Sequence, residues 1–210
     1  MQGRAFRKPL VLAIPRGGIV TGAALARQIG AELDVVLSRK LRAPAQPELA
    51  IGAISETGDM YLNQHAYQVD GFTQEYLDRE RQHQLAEISR RRKLFRGVRP
   101  QAPLKGRTVI VTDDGIATGS TMIAALQTVK QGHPYEIIVA VPVASPDRLI
   151  EVRRLCDEVI CLLEPQVFWA VGQFYEEFNQ VEDDEVVAYL RDAAAAQSEA
   201  AQAAEATKAS

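Results

Sequence analysis

Two adjacent carboxylates stand at the end of an apolar run near the middle of the chain. Asp113 and Asp114 follow the run Thr108 to Val111, which is short, β-branched and apolar. These properties predict a strand that is buried on both faces of a parallel sheet. The acids are therefore expected at the carboxyl end of that strand, which is the edge where open α/β sheets bind ligands.

The loop after the acids has the composition of a phosphate-binding site. Gly115 and Gly119 permit tight turns that bring backbone N–H groups close to an anion. Thr118, Ser120 and Thr121 add hydroxyl donors where the next helix begins. Carboxylates do not bind phosphate, so the ligand is expected to carry vicinal hydroxyls for the acids and a phosphate for the loop. Ribose 5-phosphate has both groups.

An acid pair alone carries little information, since such pairs also occur at solvated turns and helix caps. The ordered combination of strand, acid pair and phosphate loop favours a binding site. Two other phosphate patterns are absent from the chain, namely the Walker pattern and the Gly-x-Gly-x-x-Gly of dinucleotide folds. Their absence disfavours a Walker-type nucleotide site and a dinucleotide-binding fold.

Strands and helices alternate along the chain, which predicts an α/β fold with a doubly wound, mainly parallel sheet flanked by helices. Besides the run before the acids, the apolar segments that predict strands are Leu10 to Ile14, Asp34 to Ser38, Ile137 to Pro142 and Val159 to Leu163. The segments that predict helices are Val20 to Ile29, Thr73 to Phe95, Thr121 to Gln131 and Pro146 to Leu155.

The region between the second strand and the long helix has a different pattern. The polar, proline-bearing stretch Arg39 to Glu48 predicts an exposed loop. After it, Ala50 to Ser55 and Met60 to Asn63 predict a β-hairpin. We therefore expect a small hairpin and a flexible loop beside the main sheet.

Composition is that of an ordinary enzyme domain. With 210 residues, of which 47% are hydrophobic, the chain suffices for one packed α/β domain, and its net charge of −3 disfavours general nucleic-acid binding. No stretch approaches the roughly 18 apolar residues of a membrane span, and the start Met1 to Lys8 lacks a secretory pattern. A cytoplasmic location is expected. Cys156 and Cys161 are interpreted as buried apolar thiols.

The segment Val109 to Thr121 resembles the phosphoribosyl pyrophosphate (PRPP) signature of the type I phosphoribosyltransferases. In that signature an apolar strand, two acids and two mostly apolar residues precede a small-Thr-Gly-x-Thr loop. Gly115 departs from it, because the family commonly carries an aliphatic side chain there. The resemblance covers about Leu10 to Leu190 and is closest to a poorly characterised bacterial group with Pro-Arg-Gly-Gly and Gly-Gln-x-Tyr-Glu-x-Phe motifs.

The resemblance implies transfer of 5-phosphoribosyl from PRPP to a nitrogenous base, with release of pyrophosphate, Mg²⁺ as cofactor and a place in nucleotide metabolism. Length and composition predict one domain over residues 1–190, in which the resemblance implies a base-binding hood mainly at 164–180. The alanine-rich end of the chain predicts a tail at 191–210 that is helical or disordered. A homodimer is expected. The base itself stays open, and Ala117, where hypoxanthine-guanine enzymes carry an aspartate, disfavours 6-oxopurines.

Site roles follow from the same resemblance. Asp113 and Asp114 would hold the ribose hydroxyls and, largely through water and those hydroxyls, Mg²⁺. The 5-phosphate loop would consist of Ala117, Thr118, Gly119, Ser120 and Thr121. The pyrophosphate loop, which in this family often has a cis peptide, would consist of Arg16, Gly17 and Gly18. By itself, Arg-Gly-Gly is also an ordinary turn from a strand to a helix.

Two further segments carry roles with open alternatives. Arg39 and Lys40 match an Arg-Lys pair that assists the leaving group in orotate and adenine enzymes, although a solvated basic turn has the same composition. The loop Ala43 to Glu48 would be a lid that excludes water. Phe168 or Trp169 of the hood would stack on the base, or these aromatic rings would seal the core or a dimer interface.

The basic segment 79–99 permits three interpretations. It combines six basic side chains near its end with an apolar edge. A solvated face is the commonest outcome for such a run, phosphate contact at this or a neighbouring subunit is the second interpretation, and nucleic acid is the third.

A second function on the same fold is a regulator that binds PRPP or nucleotides without turnover. The retained Arg39, Lys40 and both acids favour catalysis, whereas the basic segment slightly favours regulation. A phosphate-binding module with a receiver-type acidic pocket fits poorly, because a hydroxyl-rich loop follows the acids.

Overall fold

The computed structural model describes residues 4–47, 49–63 and 65–208. Its core is a five-stranded, wholly parallel sheet, which confirms the predicted α/β fold. The strands are β1 (Leu10–Ala13), β2 (Glu32–Val35), β3 (Ser38–Arg42), β4 (Ala50–Ser55), β5 (Met60–Leu62), β6 (Thr108–Thr112), β7 (Glu136–Val143) and β8 (Glu158–Leu163). The helices are α1 (Gly18–Ile29), α2 (Gln74–Arg96), α3 (Ser120–Gln131), α4 (Pro146–Arg153) and α5 (Asp183–Lys208).

Helices cover both faces of this sheet because successive strand residues point to opposite sides. In β1, Val11 and Ala13 pack into one apolar cluster, whereas Leu10 and Leu12 pack into another. The first cluster includes side chains of α1, α2 and α5, and the second includes side chains of α3 and α4. All five residues of β6 are buried, as predicted for the strand that precedes the acids.

The order of strands in the sheet is β2-β1-β6-β7-β8. The chain therefore moves from β1 outward to β2 and later returns to the other side of β1 as β6. This reversal is a topological switch point, where the connections after two adjacent strands diverge and leave a crevice. The segments at the carboxyl ends of β1 and β6 are thus placed to form a site.

Beside the main sheet lies a three-stranded antiparallel sheet of order β3-β4-β5. The predicted hairpin is confirmed as β4 and β5, with Gly52 paired to Leu62. The prediction of an exposed loop from Arg39 to Glu48 is wrong at its start, because Arg39 and Lys40 belong to β3, which pairs with β4. Adjacent cations and nearby prolines suggested a loop, but pairing with β4 satisfies the backbone and leaves charged side chains at a cleft. Glu48 lies outside the described residues.

An ionic network fixes the end of α2 to the sheet. The guanidinium of Arg96 donates to Asp34 Oδ1 at 2.7 Å, to Glu56 Oε2 at 2.8 Å and to the Val35 carbonyl at 3.1 Å. Asp34 is fully buried and also accepts a hydrogen bond from the Ala102 N–H at 2.8 Å. The guanidinium of Arg96 therefore joins α2 to β2 and to the turn directly after β4.

The C-terminal helix α5 runs across the boundary expected at residue 190 and is continuous to Lys208. It packs against the parallel sheet through Val186 and Leu190, which are fully buried. Within the described part of the chain, no helix combines the length and apolar character that a membrane crossing needs.

Candidate functional site

The acid pair and the loop after β1 are in direct contact. A Cβ added to Gly17 would lie 2.0 Å from Asp114 Oδ2, and a Cβ added to Gly18 would lie 2.9 Å from the Cα of Asp113. Neither position has room for a side chain while the acids stay in place. The peptide bond between Pro15 and Arg16 is cis. The structure thus brings together two segments that are about a hundred residues apart in sequence, at the switch point of the sheet.

Burial and mutual repulsion act on the two carboxyl groups. Burial raises the pKa of Asp113 well above the usual range for aspartate, and the charge of Asp114 raises it further. Burial also raises the pKa of Asp114. The Asp114 N–H donates to Asp113 Oδ1 at 2.9 Å, which partly offsets the cost of the Asp113 charge. Two ionised carboxylates this close favour a ligand that brings hydroxyl donors or a cation.

This cost predicts a stability effect for Asp113→Asn, whose amide oxygen can still accept the Asp114 N–H. At neutral pH the variant removes a buried charge, so the ligand-free protein is expected to unfold at a higher temperature. The pKa of an aspartate carboxyl is about 4 in the unfolded protein, and here it is higher in the folded protein. The free energy of unfolding therefore falls as pH rises from the lower pKa through the higher one. Thermal unfolding at pH 7.5 and pH 5 tests this. The rise in the unfolding midpoint of the variant over wild type should be larger at pH 7.5 than at pH 5. A midpoint below that of wild type at pH 7.5 would contradict the prediction.

Gly115, the one departure from the signature, has a structural explanation. A Cβ there would lie 2.8 Å from a methyl carbon of Val171 and 3.0 Å from one of Val143. The short helical turn Val171–Phe174 that follows β8 therefore occupies the space that a side chain at 115 would need. Next to this turn, the Tyr175 hydroxyl donates to the Asp114 carbonyl at 2.6 Å. Sequence reasoning missed both contacts, although the Gly-Gln-x-Tyr motif pointed to the segment.

The predicted phosphate loop lies between β6 and α3. The Ile116 N–H donates to the Val143 carbonyl at 2.9 Å, and the Ile116 carbonyl accepts from the Ser145 N–H at 3.0 Å. This anchors the start of the loop to the end of β7. Gly119 has a φ of 79°, a conformation that favours glycine, and directly precedes the first turn of α3. First-turn N–H groups of a helix have no partner within the helix, and they favour anions.

A basic cleft of about 270 Å³ adjoins this loop. Arg39, Lys40 and Arg42 of β3 line it, together with Thr121 of the loop and Pro15 after β1. The predicted leaving-group residues therefore line the same cavity as Thr121 and as Pro15, the residue directly before the predicted pyrophosphate loop. Its remaining lining residues are Ile14, Val36, Leu37, Ser38, Glu87, Ile88 and Arg91.

Helix α2 holds one of these cations in position. Arg39 Nε donates to Gln84 Oε1 at 2.7 Å, and Gln84 Nε2 donates to Glu80 Oε1 at 2.9 Å. Glu80 Oε1 also accepts the Arg42 backbone N–H at 3.0 Å. Gln84 is fully buried, so it acts as a fixed link between the helix and the strand. Sequence reasoning missed this role, since a lone glutamine in a charged helix is typical of a surface position.

Three of the predicted site residues, Arg16, Phe168 and Trp169, have surroundings in the structure that bear on their roles. Arg16 forms an ion pair with Glu182 Oε2 at 2.6 Å, just before α5. Trp169 is 86% exposed, so within this chain it does not seal the core. The Phe168 ring contacts the Phe174 ring, with 5.2 Å between centroids. The stacking role of Phe168 or Trp169 stays a prediction.

Comparisons with known proteins agree with this architecture. The family model described as "Phosphoribosyl transferase domain" matches residues 4–179. A protein of Mycobacterium tuberculosis strain H37Rv, named "Putative phosphoribosyl transferase Rv0571c", is 42% identical over 181 residues, which are 86% of this chain and 41% of that protein. Its counterpart MT0597 in strain CDC 1551 matches equally well. The chain thus spans less than half the length of these relatives.

A solved structure is similar over almost the whole chain. The crystal structure of TT1426 from Thermus thermophilus is 44% identical in sequence and superposes with a TM-score of 0.84. The match covers 90% of this chain and 89% of that one. The parallel sheet and its flanking helices are therefore shared with an experimentally determined structure.

Proposed function

Since the chain belongs to the phosphoribosyl transferase family, we propose that it transfers the 5-phosphoribosyl group of PRPP to a nitrogenous base and releases pyrophosphate. The observation that carries this proposal is the contact between the acid pair and the Gly17–Gly18 loop beside a basic cleft. PRPP has a diol, a 5-phosphate and a diphosphate. In this proposal, a separate group of residues would bind each of the three.

Different residues of the chain would bind different parts of PRPP. Asp113 and Asp114 would accept hydrogen bonds from the two ribose hydroxyls, and the loop Ala117 to Thr121 would bind the 5-phosphate through backbone N–H groups. The Gly17–Gly18 amides, Arg39 and Lys40 would face the diphosphate. Fixing the sugar by both ends orients C1 for attack and removes much of the entropy cost of a bimolecular encounter.

The reaction is a displacement at C1. The bond between C1 and the diphosphate oxygen breaks, and its electron pair leaves with the diphosphate. The lone pair of the acceptor nitrogen forms the new bond to C1, and that nitrogen releases its proton. Negative charge grows on the leaving group, so cations fixed along the cleft stabilise the transition state more than the ground state.

The acid pair also fits Mg²⁺. Two adjacent carboxylates are hard oxygen donors, and Mg²⁺ is usually held by one or two carboxylates together with waters and substrate phosphates. Asp113 and Asp114 would hold the ion, which when bound would neutralise charge on the diphosphate. The high cost of leaving both carboxylates ionised without a partner supports this assignment.

The acceptor is expected to be a base that needs no proton acceptor from the phosphate loop. Ala117 is exposed and has no titratable group, so deprotonation of a 6-oxopurine at this point lacks a base. The chain's binding region for the acceptor is proposed at 164–180, where the turn Val171–Phe174 already packs against Gly115.

A panel of nucleobases incubated with PRPP and Mg²⁺ tests the proposal. We expect base-dependent pyrophosphate release with at least one base, and little release without a base. PRPP binding without turnover on any base would favour the regulator instead. Failure to bind PRPP at all would contradict the proposed transfer and a PRPP-binding regulator.

A further inference from the structure

Helix α2 presents one line of side chains toward β3 and the cleft. Glu80, Gln84, Ile88 and Arg91 are spaced by four, four and three residues, which places them on one face of a helix. The first two hold β3 through Arg42 and Arg39. The last two line the cleft itself. The helix therefore continues the wall that β3 begins.

Arg91 differs in its surroundings from four other arginines of this helix, Arg79, Arg90, Arg92 and Arg96. Its side chain is 25% exposed, whereas that of Arg79 is 70% exposed and those of Arg90 and Arg92 are about 60% exposed. Arg96 turns inward to its own buried carboxylates. Of these five arginines, Arg91 alone lines the basic cleft.

The guanidinium of Arg91 is only weakly engaged by the protein. Its described ion pair joins Nε to Asp183 Oδ1 at 3.5 Å, and that oxygen accepts no hydrogen bond among the described residues. Asp183 makes its closer contact with Arg90, at 2.7 Å. Burial lowers the pKa of Arg91; Asp183 opposes the shift, and the charges of Arg16, Arg39 and Arg90 add to it. Arg91 thus lies near Arg39, one of the cations expected to bind the diphosphate, and near Arg16, which precedes the Gly17–Gly18 loop.

The excess of positive charge along the cleft favours the binding of an anion. Among the residues that the structure describes, four cationic side chains and one carboxylate, Glu87, line it. The Nε of Arg42, another lining residue, is buried and donates to no acceptor within the described part of the chain. Like charges held together at partial burial repel each other unless a ligand compensates them. A diphosphate carries several negative charges and enough oxygens to engage more than one guanidinium.

We propose that Arg91 is a diphosphate-binding residue of this site, supplied by α2 of the same chain. The proposal rests on the proposed phosphoribosyl transfer and adds a residue that the PRPP signature does not contain. Of the three interpretations of the basic segment 79–99, the proposal adopts phosphate contact, and it assigns that contact to Arg91 alone.

Binding titrations with three probes test this in the presence of Mg²⁺. Inorganic pyrophosphate, PRPP and ribose 5-phosphate are titrated into wild type, Arg91→Gln and Arg79→Gln. We expect Arg91→Gln to weaken pyrophosphate and PRPP about fivefold or more and to change ribose 5-phosphate less than twofold, because that ligand lacks the diphosphate. Arg79→Gln, on the same helix but outside the cleft, should change all three less than twofold.

The outcomes separate this inference from the function on which it rests. If wild type binds PRPP and pyrophosphate but Arg91→Gln binds them equally well, Arg91 has no such role. Equal weakening of all three ligands would indicate a structural effect and would also overturn the inference. If wild type binds none of them, the proposed function fails and the inference fails with it.

A measurement on the wild-type protein avoids any folding defect in a variant. Phenylglyoxal modifies accessible arginines, and mass spectrometry of peptides reports the rate at each one. Mg²⁺ with pyrophosphate should slow the modification of Arg91 and leave that of Arg79 unchanged. Equal rates at Arg91 with and without pyrophosphate, under conditions where pyrophosphate binds, would contradict the proposal.

Discussion

Asp114→Asn is expected to lower kcat/KM for PRPP by about 10- to 150-fold while the fold stays intact. The carboxylate would accept a hydrogen bond from a ribose hydroxyl, and hydrogen bonds to charged groups contribute about 1.5 to 3 kcal/mol. Asparagine keeps the shape but loses the charge. Steady-state kinetics with the best base of the panel measure the loss, and thermal unfolding checks the fold. Near-normal activity would refute the assigned role.

Gly17→Ala should reproduce that loss without replacing a titratable residue. Its Cβ would lie 2.0 Å from Asp114 Oδ2, so the carboxylate must move away. Because both changes remove the same interaction, the double variant is expected to lose much less than the product of the two single losses. Gly97→Ala is the control, since Gly97 lies at the exposed end of α2 with helical dihedral angles, and a Cβ there would come no closer than 3.1 Å to its nearest neighbour, the Lys93 carbonyl. Multiplicative losses in the double variant would show that Gly17 does not act through Asp114.

Arg96→Met is expected to cause the largest loss of stability. The substitution leaves Asp34 and Glu56, two buried carboxylates, without their common cation. Breaking a buried ion pair by removing one partner costs about 3 to 5 kcal/mol. For a chain of this size that corresponds to a fall of about 6 to 20 °C in the unfolding midpoint. Calorimetry or circular dichroism would measure it.

Arg92→Met is the control for that experiment. Arg92 lies one helical turn away and approaches the same Glu56 only to 3.9 Å, with its side chain 59% exposed. Such exposed pairs contribute about 0 to 1 kcal/mol. The midpoint should therefore move by no more than a few degrees. A similar fall in both variants would mean that the buried network does not hold α2 in place.

The residues around the acid pair could be predicted because local pattern determines them. A fully buried strand in a parallel sheet must be apolar along its whole length, and a polar loop directly after it marks its carboxyl end. For the same reason, the alternation of strands and helices was sufficient to predict the doubly wound sheet. These features depend on a few neighbouring residues at a time.

Other parts depend on contacts between distant segments and were not predictable in this way. Arg39 and Lys40 form a strand because β4 offers pairing partners, although their local sequence resembles a loop. Gly115 is small because Val171, more than fifty residues later, fills the space. The direction of each arginine on α2 follows from which face packs on β3. Charge alone does not reveal that face.

A crystal structure with Mg²⁺ and PRPP, or an unreactive analogue, would show directly whether the acid pair and the two loops bind PRPP. We expect the ribose diol on Asp113 and Asp114, the 5-phosphate on the amides of Ala117 to Thr121, and the diphosphate between the Gly17–Gly18 loop and the basic cleft. A sugar bound elsewhere, or a 5-phosphate outside the loop Ala117 to Thr121, would contradict this expectation.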